Sequence, residues 1–371
     1  MEQNHFSELG LLDKKFENCD KEDFKLPKYN SKTHYIEITN SRYFEALSIL
    51  RHAIKKSSDF YWAEIQSAIN VDLFMMTPSI SSPMGPGSDS EAVSIEFGRL
   101  STYLVDSSQF GFEPIIMGGI NKVYCYLPSM RGENPDKRHL NQFYHCEVEC
   151  RGELNQLKPQ IEGYVKFLSK TLITMKNIVS LLSLDSDKTF KALESIVRQE
   201  KFLEIEFDDA IRILEENGFQ ECINITKYGK DINSKGEFEL MNSLNTNLPV
   251  WVKNYDRDRV AFYQKPSPLN DDKVINADLI FPSLTENSFS GEIIGCGQRQ
   301  DNYEEMVESL RRQGISSDTY EWYMNLRKLP NYSVTSGFGL GIERFITWSL
   351  CRDDIKDSIL YPRLKNVLSH P

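Results

Sequence analysis

A basic and aromatic segment between two predicted strands has the residue types that bind a nucleotide. It runs from Arg131 to Phe143, and Arg138 and His139 lie inside it. A guanidinium can donate two hydrogen bonds to one phosphate, and a basic pair can meet further phosphates. A phenyl ring can stack on a purine. Taken alone, the segment fits a charged surface hairpin at least as well.

A glycine-rich strand followed by a helix forms a second candidate, from Gly337 to Phe345. Alternate glycines let a flat ligand approach a strand closely. Arg344, one turn into the helix, can then pack on a purine or reach a phosphate. The alternative is an ordinary glycine-rich strand end.

A third candidate combines two carboxylates with an arginine. Asp278 precedes the segment 291–299, which contains Glu292 and ends at Arg299. Carboxylate oxygens suit Mg²⁺ on nucleotide phosphates, and the arginine can bind a substrate oxygen. The alternative is a pair of solvated acidic side chains.

Helices and antiparallel strands are expected to position these residues. In the predicted strand 142–150, the alternation of side chains places Phe143, His145, Glu147 and Glu149 on one face and apolar residues on the other. The order of elements lacks regular βαβ alternation, which predicts an α+β fold with an antiparallel sheet flanked by helices. The remaining predicted elements are helices over 41–56, 153–183 and 207–218, strands over 73–78, 121–127, 260–265, 291–295 and 332–340, and a helix from Ile342.

Composition places limits on location and partners. The 371 residues have a net charge of −11, which argues against a general surface for nucleic acid. Seven scattered cysteines without a C-x-x-C pair predict a reduced cytoplasmic compartment. We predict no signal peptide and no membrane span. Residues 1–40 are interpreted as a polar extension, ordered only if it docks, and 41–371 as one catalytic domain.

Together these segments resemble the catalytic core of class II aminoacyl-tRNA synthetases, in the asparaginyl/aspartyl branch. The first and second candidates resemble motifs 2 and 3 of that family, and the resemblance covers about 41–366. The sequence is also similar to archaeal asparagine synthetases, which are built on the same core. Further supporting stretches are Thr77-Pro78, Ser108–Glu113, GEIIGCGQRQDNYEEM, YEWYMNLRK and Tyr361-Pro-Arg.

The resemblance implies ATP and Mg²⁺ as cofactors and a role for each matching residue. Arg131 would bind the α-phosphate, Glu133 the adenine edge, and Phe143 would stack on the base. Arg138, His139 and Arg344 would contact the distal phosphates. Asp278 and Glu292 would bind Mg²⁺. Gln109, Glu113 and Arg299 would line the amino-acid pocket. The helix with Arg51 and the strand ending at Pro78 correspond to the family's dimer interface, which implies a homodimer.

Three departures from the family pattern concern substrates. Only about forty residues precede the first catalytic helix, whereas the branch has an anticodon-binding barrel of about a hundred there. Pro86, in the segment 82–89, stands near the position of a glutamate that receives the substrate ammonium. Val334-Thr335 replaces the usual Pro-His. These departures predict an altered amino-acid pocket and argue against tRNA as a partner.

Phe112 and Glu113 favour an asparagine-like substrate over aspartate. Aspartyl enzymes would have a lysine at the position of Phe112, and a buried glutamate attracts an amide and repels a carboxylate. The alternative is that Glu113 only supports Arg299.

The leading hypothesis is an AMP-forming ligase that adenylates an asparagine- or aspartate-like substrate and transfers the acyl group to a small nitrogen nucleophile, as asparagine synthetases do. The second hypothesis is a truncated asparaginyl-tRNA synthetase that charges tRNA. The third is a non-catalytic regulatory protein that binds ATP or an amino acid.

Overall fold

The computed structural model describes residues 1–81 and 91–370, within which the chain forms twelve α-helices and fifteen strands. The helices are α1 (Glu2–Asp13), α2 (His34–Asn40), α3 (Arg42–Asp59), α4 (Gln109–Met117), α5 (Leu154–Thr174), α6 (Lys176–Leu182), α7 (Ser186–Arg198), α8 (Phe207–Glu216), α9 (Ser234–Ser243), α10 (Tyr303–Gln313), α11 (Glu321–Met324) and α12 (Ile342–Ser349). The strands are β1 (Ile69–Asn70), β2 (Met76–Thr77), β3 (Ser94–Phe97), β4 (Leu100–Leu104), β5 (Lys122–Met130), β6 (Gln142–Arg151), β7 (Leu203–Glu206), β8 (Ile223–Thr226), β9 (Gly229–Ile232), β10 (Val250–Lys253), β11 (Pro266–Ser267), β12 (Asn270–Val274), β13 (Asn276–Phe281), β14 (Gly291–Gln298) and β15 (Thr335–Gly341). None of these helices has the length and apolar character needed to cross a membrane.

An eight-stranded sheet in the order β1-β5-β6-β15-β14-β13-β10-β7 is the centre of the fold. The neighbours from β5 to β10 are antiparallel, as predicted. At the two edges β1 pairs parallel with β5, and β7 pairs parallel with β10. Parallel neighbours need a crossover connection, and α8 and α9 lie in the connection from β7 to β10. The α+β class is confirmed, and the antiparallel prediction fails only at the edges.

One face of this sheet is covered by the hydrophobic core. Helix α5 packs on β14, β15 and α3. The side chains that alternate toward these helices are buried and apolar, and each removes surface worth roughly 1.5–3 kcal/mol from water. They include Cys146, Val148 and Cys150 of β6, Ile294 and Cys296 of β14, and Phe338 and Leu340 of β15. The opposite face is thereby left for polar groups and glycines.

Residues 1–40 dock on this core, which explains how a polar segment with weak periodicity is ordered. Helix α1 packs on α3, α5 and α6. His5 stacks on Phe60 at 4.5 Å between ring centroids, and its Nε2 lies 2.9 Å from Ser57 Oγ. The Asp13 carboxylate accepts hydrogen bonds from the first turn of α6, including one of 2.9 Å from Ile178 N. Such capping satisfies backbone donors that a helix start leaves unpaired.

Three predicted elements differ in the structure. The helix over 153–183 is two helices, α5 and α6, because the chain turns at Met175. The strand over 73–78 shrinks to β2. Residues 260–265 are not a strand, since only Gln264 forms an isolated bridge, with Arg299. A short apolar run predicts burial more reliably than it predicts a strand, and Phe262 is indeed buried.

Candidate active site

Four glycines form the floor of the cleft on the polar face of the sheet. Gly295 of β14 lies opposite Gly339 of β15, and Gly297 lies opposite Gly337. Because side chains alternate along a strand, these two pairs lie on the same face and leave it without side chains. Carboxylates stand in the neighbouring strands directly opposite the glycines, namely Asp278 of β13 and Glu147 and Glu149 of β6.

A β-bulge adds Glu292 to this face. The register between β13 and β14 shifts by one residue beside Ile280, so that Ile293 has no opposite residue. An extra residue reverses the alternation, which turns the Glu292 side chain toward the cleft. A Cβ placed on Gly295 would lie 3.0 Å from Glu292 Oε1 and 3.3 Å from Asp278 Oδ1, so both carboxylates reach the same point.

The two carboxylates hold protons very differently. Burial and the neighbouring Glu292 charge raise the pKa of Asp278 well above its usual value. The pKa of Glu292 is lowered, because Arg344, Arg131 and Arg138 together outweigh the opposing effect of burial. Among residues 1–81 and 91–370 no three metal-binding side chains converge. Two carboxylates nevertheless fit Mg²⁺, which is usually held by one or two of them together with substrate phosphates.

Arg131 directly follows β5 and points into the cleft beside Phe143. Its guanidinium carbon lies 5.3 Å from the Phe143 ring centroid, and its buried Nε makes no hydrogen bond with the described residues. The Asn141 side-chain amide shapes the loop by donating to the carbonyl oxygens of Arg131 at 2.8 Å and Glu133 at 2.7 Å. The Glu133 carboxylate accepts a hydrogen bond of 3.3 Å from Glu91 N.

Arg138 and His139 lie in the same loop but have partners already. Arg138 Nη2 lies 2.5 Å from Glu237 Oε2 of α9. His139 Nδ1 donates to Asp136 Oδ1 at 2.9 Å, since a carboxylate can only accept. Burial and the Arg344 charge lower the pKa of His139. The ring is therefore neutral at pH 7 and must gain a proton before Nε2 can donate to a phosphate.

Arg299 lies at the other end of the glycine floor in a buried ion pair. Its Nη2 is 2.8 Å from Glu149 Oε2, and both side chains are at most 5% exposed. Nη2 also donates to Gln109 Oε1. Nη1 remains as the donor nitrogen without a hydrogen bond to the described residues. A Cβ on Gly337 would overlap the Glu149 carboxylate, so this pair needs the glycine beneath it.

Glu113 forms a second buried ion pair. The carboxylate is completely buried, pairs with Arg327 Nη2 at 2.9 Å, and accepts a hydrogen bond from the Tyr323 hydroxyl. The contact of Glu113 with the amino acid stays a prediction. Its ion-pair partner is Arg327 and not Arg299, as the alternative had it. Arg327 lies in the stretch YEWYMNLRK, and nothing local in that stretch marks it as the partner of Glu113.

Glu147 is the pocket carboxylate that sequence analysis left without a role. Its oxygens accept hydrogen bonds from Ser107 Oγ at 2.5 Å and Ser108 N at 2.7 Å. Burial raises its pKa. A Cβ on Gly339 would lie 3.5 Å from Glu147 Cγ, which puts the carboxylate beside the glycine floor. The sequence feature that could have indicated a role for Glu147 is its position two residues before Glu149, on the same face of the strand.

The cleft therefore has two ends, which we name by their exposure. The open end comprises Arg131, Glu133, Arg138, His139, Phe143, Asp278, Glu292 and Arg344, and the closed end comprises Gln109, Glu113, Glu147, Glu149, Arg299 and Arg327. Thr335 begins β15 and is completely buried. Pro86 and the rest of 82–89 lie outside the described residues.

Comparisons with known proteins agree with this arrangement. The family described as tRNA synthetases class II (D, K and N) matches residues 27–365. The asparagine–tRNA ligase of Thermococcus kodakarensis is 33% identical over 266 residues, which are 70% of this chain and 57% of that protein. The Thermoplasma acidophilum asparagine–tRNA ligase is 30% identical over 87% of this chain and 70% of its own length. This chain thus spans little more than half of the Thermococcus relative.

Among solved structures, asparaginyl-tRNA synthetase from Pyrococcus horikoshii complexed with asparaginyl-adenylate is similar over 91% of this chain and 73% of its own. The TM-score is 0.80 and the identity 26%. The resemblance predicted from the motifs is thereby confirmed. With a family match over most of its length and the glycine-floored cleft that carries the motif residues, the chain belongs to the class II tRNA synthetases, in the group of the aspartyl, lysyl and asparaginyl enzymes.

Proposed function

We propose that this chain activates asparagine with ATP, forming asparaginyl-adenylate and pyrophosphate, and then transfers the asparaginyl group to tRNA with release of AMP. The observation that carries the proposal is the pairing of the two ends on one glycine floor. The open end supplies the arginine-rich surface for a triphosphate. The closed end supplies a small polar pocket that fits an amide side chain.

At the open end the side chains bind and orient ATP. Phe143 stacks on the adenine, and Glu133 contacts its edge. Arg131, whose Nε has no other hydrogen bond among the described residues, donates to the α-phosphate and stabilises the negative charge that develops there. Arg344 contacts the distal phosphates. Asp278 and Glu292 hold Mg²⁺, which neutralises phosphate charge when bound. No general base is needed, since the attacking group is already a carboxylate.

At the closed end the pocket distinguishes asparagine from aspartate. Arg299 Nη1 donates to the side-chain carbonyl of the substrate, and the Glu147 carboxylate accepts from its NH₂ group. A second carboxylate in place of that NH₂ would face Glu147, which disfavours aspartate. Phe112, at the position where a lysine would attract aspartate, is buried among apolar neighbours.

The acceptor is the point at which the relatives favour the second hypothesis over the first. The curated relatives at 30–33% identity are named as asparagine–tRNA ligases, which supports tRNA and not a small nitrogen nucleophile. The net charge of −11 remains the observation in favour of the small acceptor, because phosphate contacts need basic surface.

Pyrophosphate exchange with a panel of amino acids tests the first step. We expect exchange with asparagine and at least tenfold less with aspartate. Labelled asparagine is then offered to total tRNA or to ammonium ions, and we expect the label on tRNA. Exchange without tRNA charging but with consumption of ammonium would favour the asparagine synthetase hypothesis. ATP binding without exchange for any amino acid would favour the regulatory one.

We also propose a homodimer, because the region around β1 and β2 exposes large apolar side chains. A contiguous exposed apolar surface is a common sign of a protein interface. Its members are Ile69 (51% exposed), Phe74 (37%), Met75 (46%) and Met76 (38%). Sedimentation equilibrium is expected to give twice the chain mass of 42.9 kDa, and Met75→Glu is expected to reduce it to the monomer.

A further inference from the structure

The ion pair between Arg138 and Glu237 joins the loop between β5 and β6 to helix α9. Arg138 Nη2 lies 2.5 Å from Glu237 Oε2, and the two side chains are only 17% and 18% exposed. Arg138 Nη1 also donates to the carbonyl oxygen of Ser234, the first residue of α9, at 3.1 Å. Both contacts draw the guanidinium toward α9.

The beginning of β14 meets the same pair. Glu292 N donates to Glu237 Oε2 at 3.4 Å. Gly291 has a φ of +117°, and a Cβ there would overlap both Arg138 Nη2 and Glu237 Oε2. The chain therefore passes the ion pair at a distance that only glycine permits. The Glu237 carboxylate thus lies against the backbone of Glu292, and its charge also helps to raise the pKa of Asp278.

A carboxylate in this place competes with phosphate for the same guanidinium. Arg138 lies in the loop of the open end, and its Nη1 and Nη2 already donate to Ser234 and Glu237, so a phosphate that needs these donors must displace those partners.

We infer that Glu237 is an internal counter-ion that holds Arg138 in the absence of ATP and is displaced from it by the distal phosphates, so that Glu237 weakens ATP binding. The inference rests on the proposed function in so far as it assigns ATP to the open end. It adds a residue, Glu237, that sets the affinity for ATP without touching the amino-acid pocket.

The competing explanation is that Glu237 is a third carboxylate for the divalent cation. Glu237, Asp278 and Glu292 do not form a metal-binding group among the described residues. Arg138 moreover neutralises Glu237 directly. The two explanations predict opposite effects of removing the Glu237 charge.

Calorimetric titration with Mg²⁺ and ATP, and separately with AMP, tests the inference on the full chain. The variants are Glu237→Gln, Arg138→Ala and the double variant. Glu239→Gln, on the same helix, is the matched control. We expect Glu237→Gln to tighten ATP binding about three- to tenfold, the range of a partly exposed ion pair. AMP affinity stays unchanged because AMP has no distal phosphates. In the Arg138→Ala background the substitution has no effect on ATP.

Weaker ATP binding by Glu237→Gln would overturn the inference in favour of a cation ligand. Unchanged ATP binding, or an equal change for AMP, would also overturn it. Pyrophosphate exchange on the same samples separates the two proposals. If exchange with asparagine occurs but Glu237→Gln does not change the ATP affinity, only the counter-ion role of Glu237 is refuted. If the titrations give the expected affinities but no amino acid supports exchange, only the proposed adenylating function is refuted.

Discussion

The two ends of the cleft treat their charges in opposite ways. At the closed end Arg299 and Arg327 are at most 5% exposed, and each is paired with a glutamate that is completely buried. At the open end Arg138 and Arg344 are 17% and 19% exposed, and Arg344 pairs with a Glu292 side chain that is 35% exposed. The closed end is built before the substrate arrives, whereas the open end has counter-ions that a substrate can replace.

This difference has a physical reason. A buried ion pair is strongly destabilising when one partner leaves, so a pocket built from such pairs keeps its geometry. A partly exposed pair costs little to open, because water solvates the separated charges. A small amide needs a rigid pocket for selection. The proposed ATP would bring its own charge and Mg²⁺, and the open end would have to accommodate both.

Removing one charge from the closed end is expected to have the largest effect. Arg327→Met leaves Glu113 buried without a counter-charge and should lower the free energy of unfolding by about 3–5 kcal/mol in urea titrations. Arg344→Met, the matched change at the open end, should lower it by less than about 1 kcal/mol. Adding Glu113→Gln to Arg327→Met should restore part of the loss. Equal losses for the two single variants would show that the two ends do not differ.

Arg131→Ala should reduce the reaction and not the fold. Loss of a donor to charge that develops during the reaction typically lowers the rate about 10²–10³-fold. Pyrophosphate exchange with asparagine measures the rate, and the urea midpoint should stay unchanged. Arg198→Ala, at an exposed helical ion pair, is the control and should alter neither. Full activity of Arg131→Ala would refute its assignment to the α-phosphate.

Two glycines of β15 allow the boundary between the ends to be tested. Gly337→Ala places a methyl group on the Glu149 carboxylate and should destabilise the protein by about 1–3 kcal/mol while weakening asparagine binding. Gly339→Ala meets its nearest neighbour, Glu147 Cγ, at 3.5 Å, an ordinary contact. It should fold normally and affect substrate binding only. Thermal unfolding and asparagine titration distinguish the two variants, and equal destabilisation would contradict the assignment.

The smallest expected effect is a pH dependence of stability due to Asp278. Its pKa is raised in the folded protein by burial and by Glu292. The folded state therefore binds more protons than the unfolded state above the usual Asp pKa, and stability falls as pH rises through this window. The slope is at most about 1.4 kcal/mol per pH unit for one proton. Urea titrations above pH 5 should show a shallower slope for Asp278→Asn, and an identical slope would exclude this origin.

Sequence reasoning identified the open end better than the closed end. Arg131, Phe143 and Arg344 lie in local motifs in which residue type and spacing already limit the chemistry. The partner of Glu113 is 214 positions away at Arg327, and no local pattern specifies such a pair. The same applies to Glu237, 99 positions from Arg138. The assignment of Glu113 to the amino-acid pocket stays a prediction, and the structure adds that this carboxylate is neutralised by a distant residue.

The sheet shows the same division. Strands β5 and β6 could be predicted because their apolar and polar residues alternate locally. The parallel edges depend on how α8 and α9 return the chain, which no strand pattern encodes. Docking of residues 1–40 likewise depends on contacts such as Asp13 with the start of α6, and their division from 41–371 remains a prediction.

The bulge at Ile293 makes the number of residues in β14 as important as their identity. If β14 kept all its residues but lost the bulge, regular alternation would carry Glu292 to the face covered by the hydrophobic core, where a carboxylate would be buried without a partner. Deletion of Ile293 removes the bulge as well, and Glu292 then stays opposite Ile280 on the cleft face. Substitutions of Ile293 by other apolar residues keep the count and leave Glu292 in place. A one-residue insertion between Glu292 and Gly295 is therefore expected to displace Glu292 from the cleft unless the bulge enlarges, whereas a deletion of Ile293 costs only one buried apolar side chain.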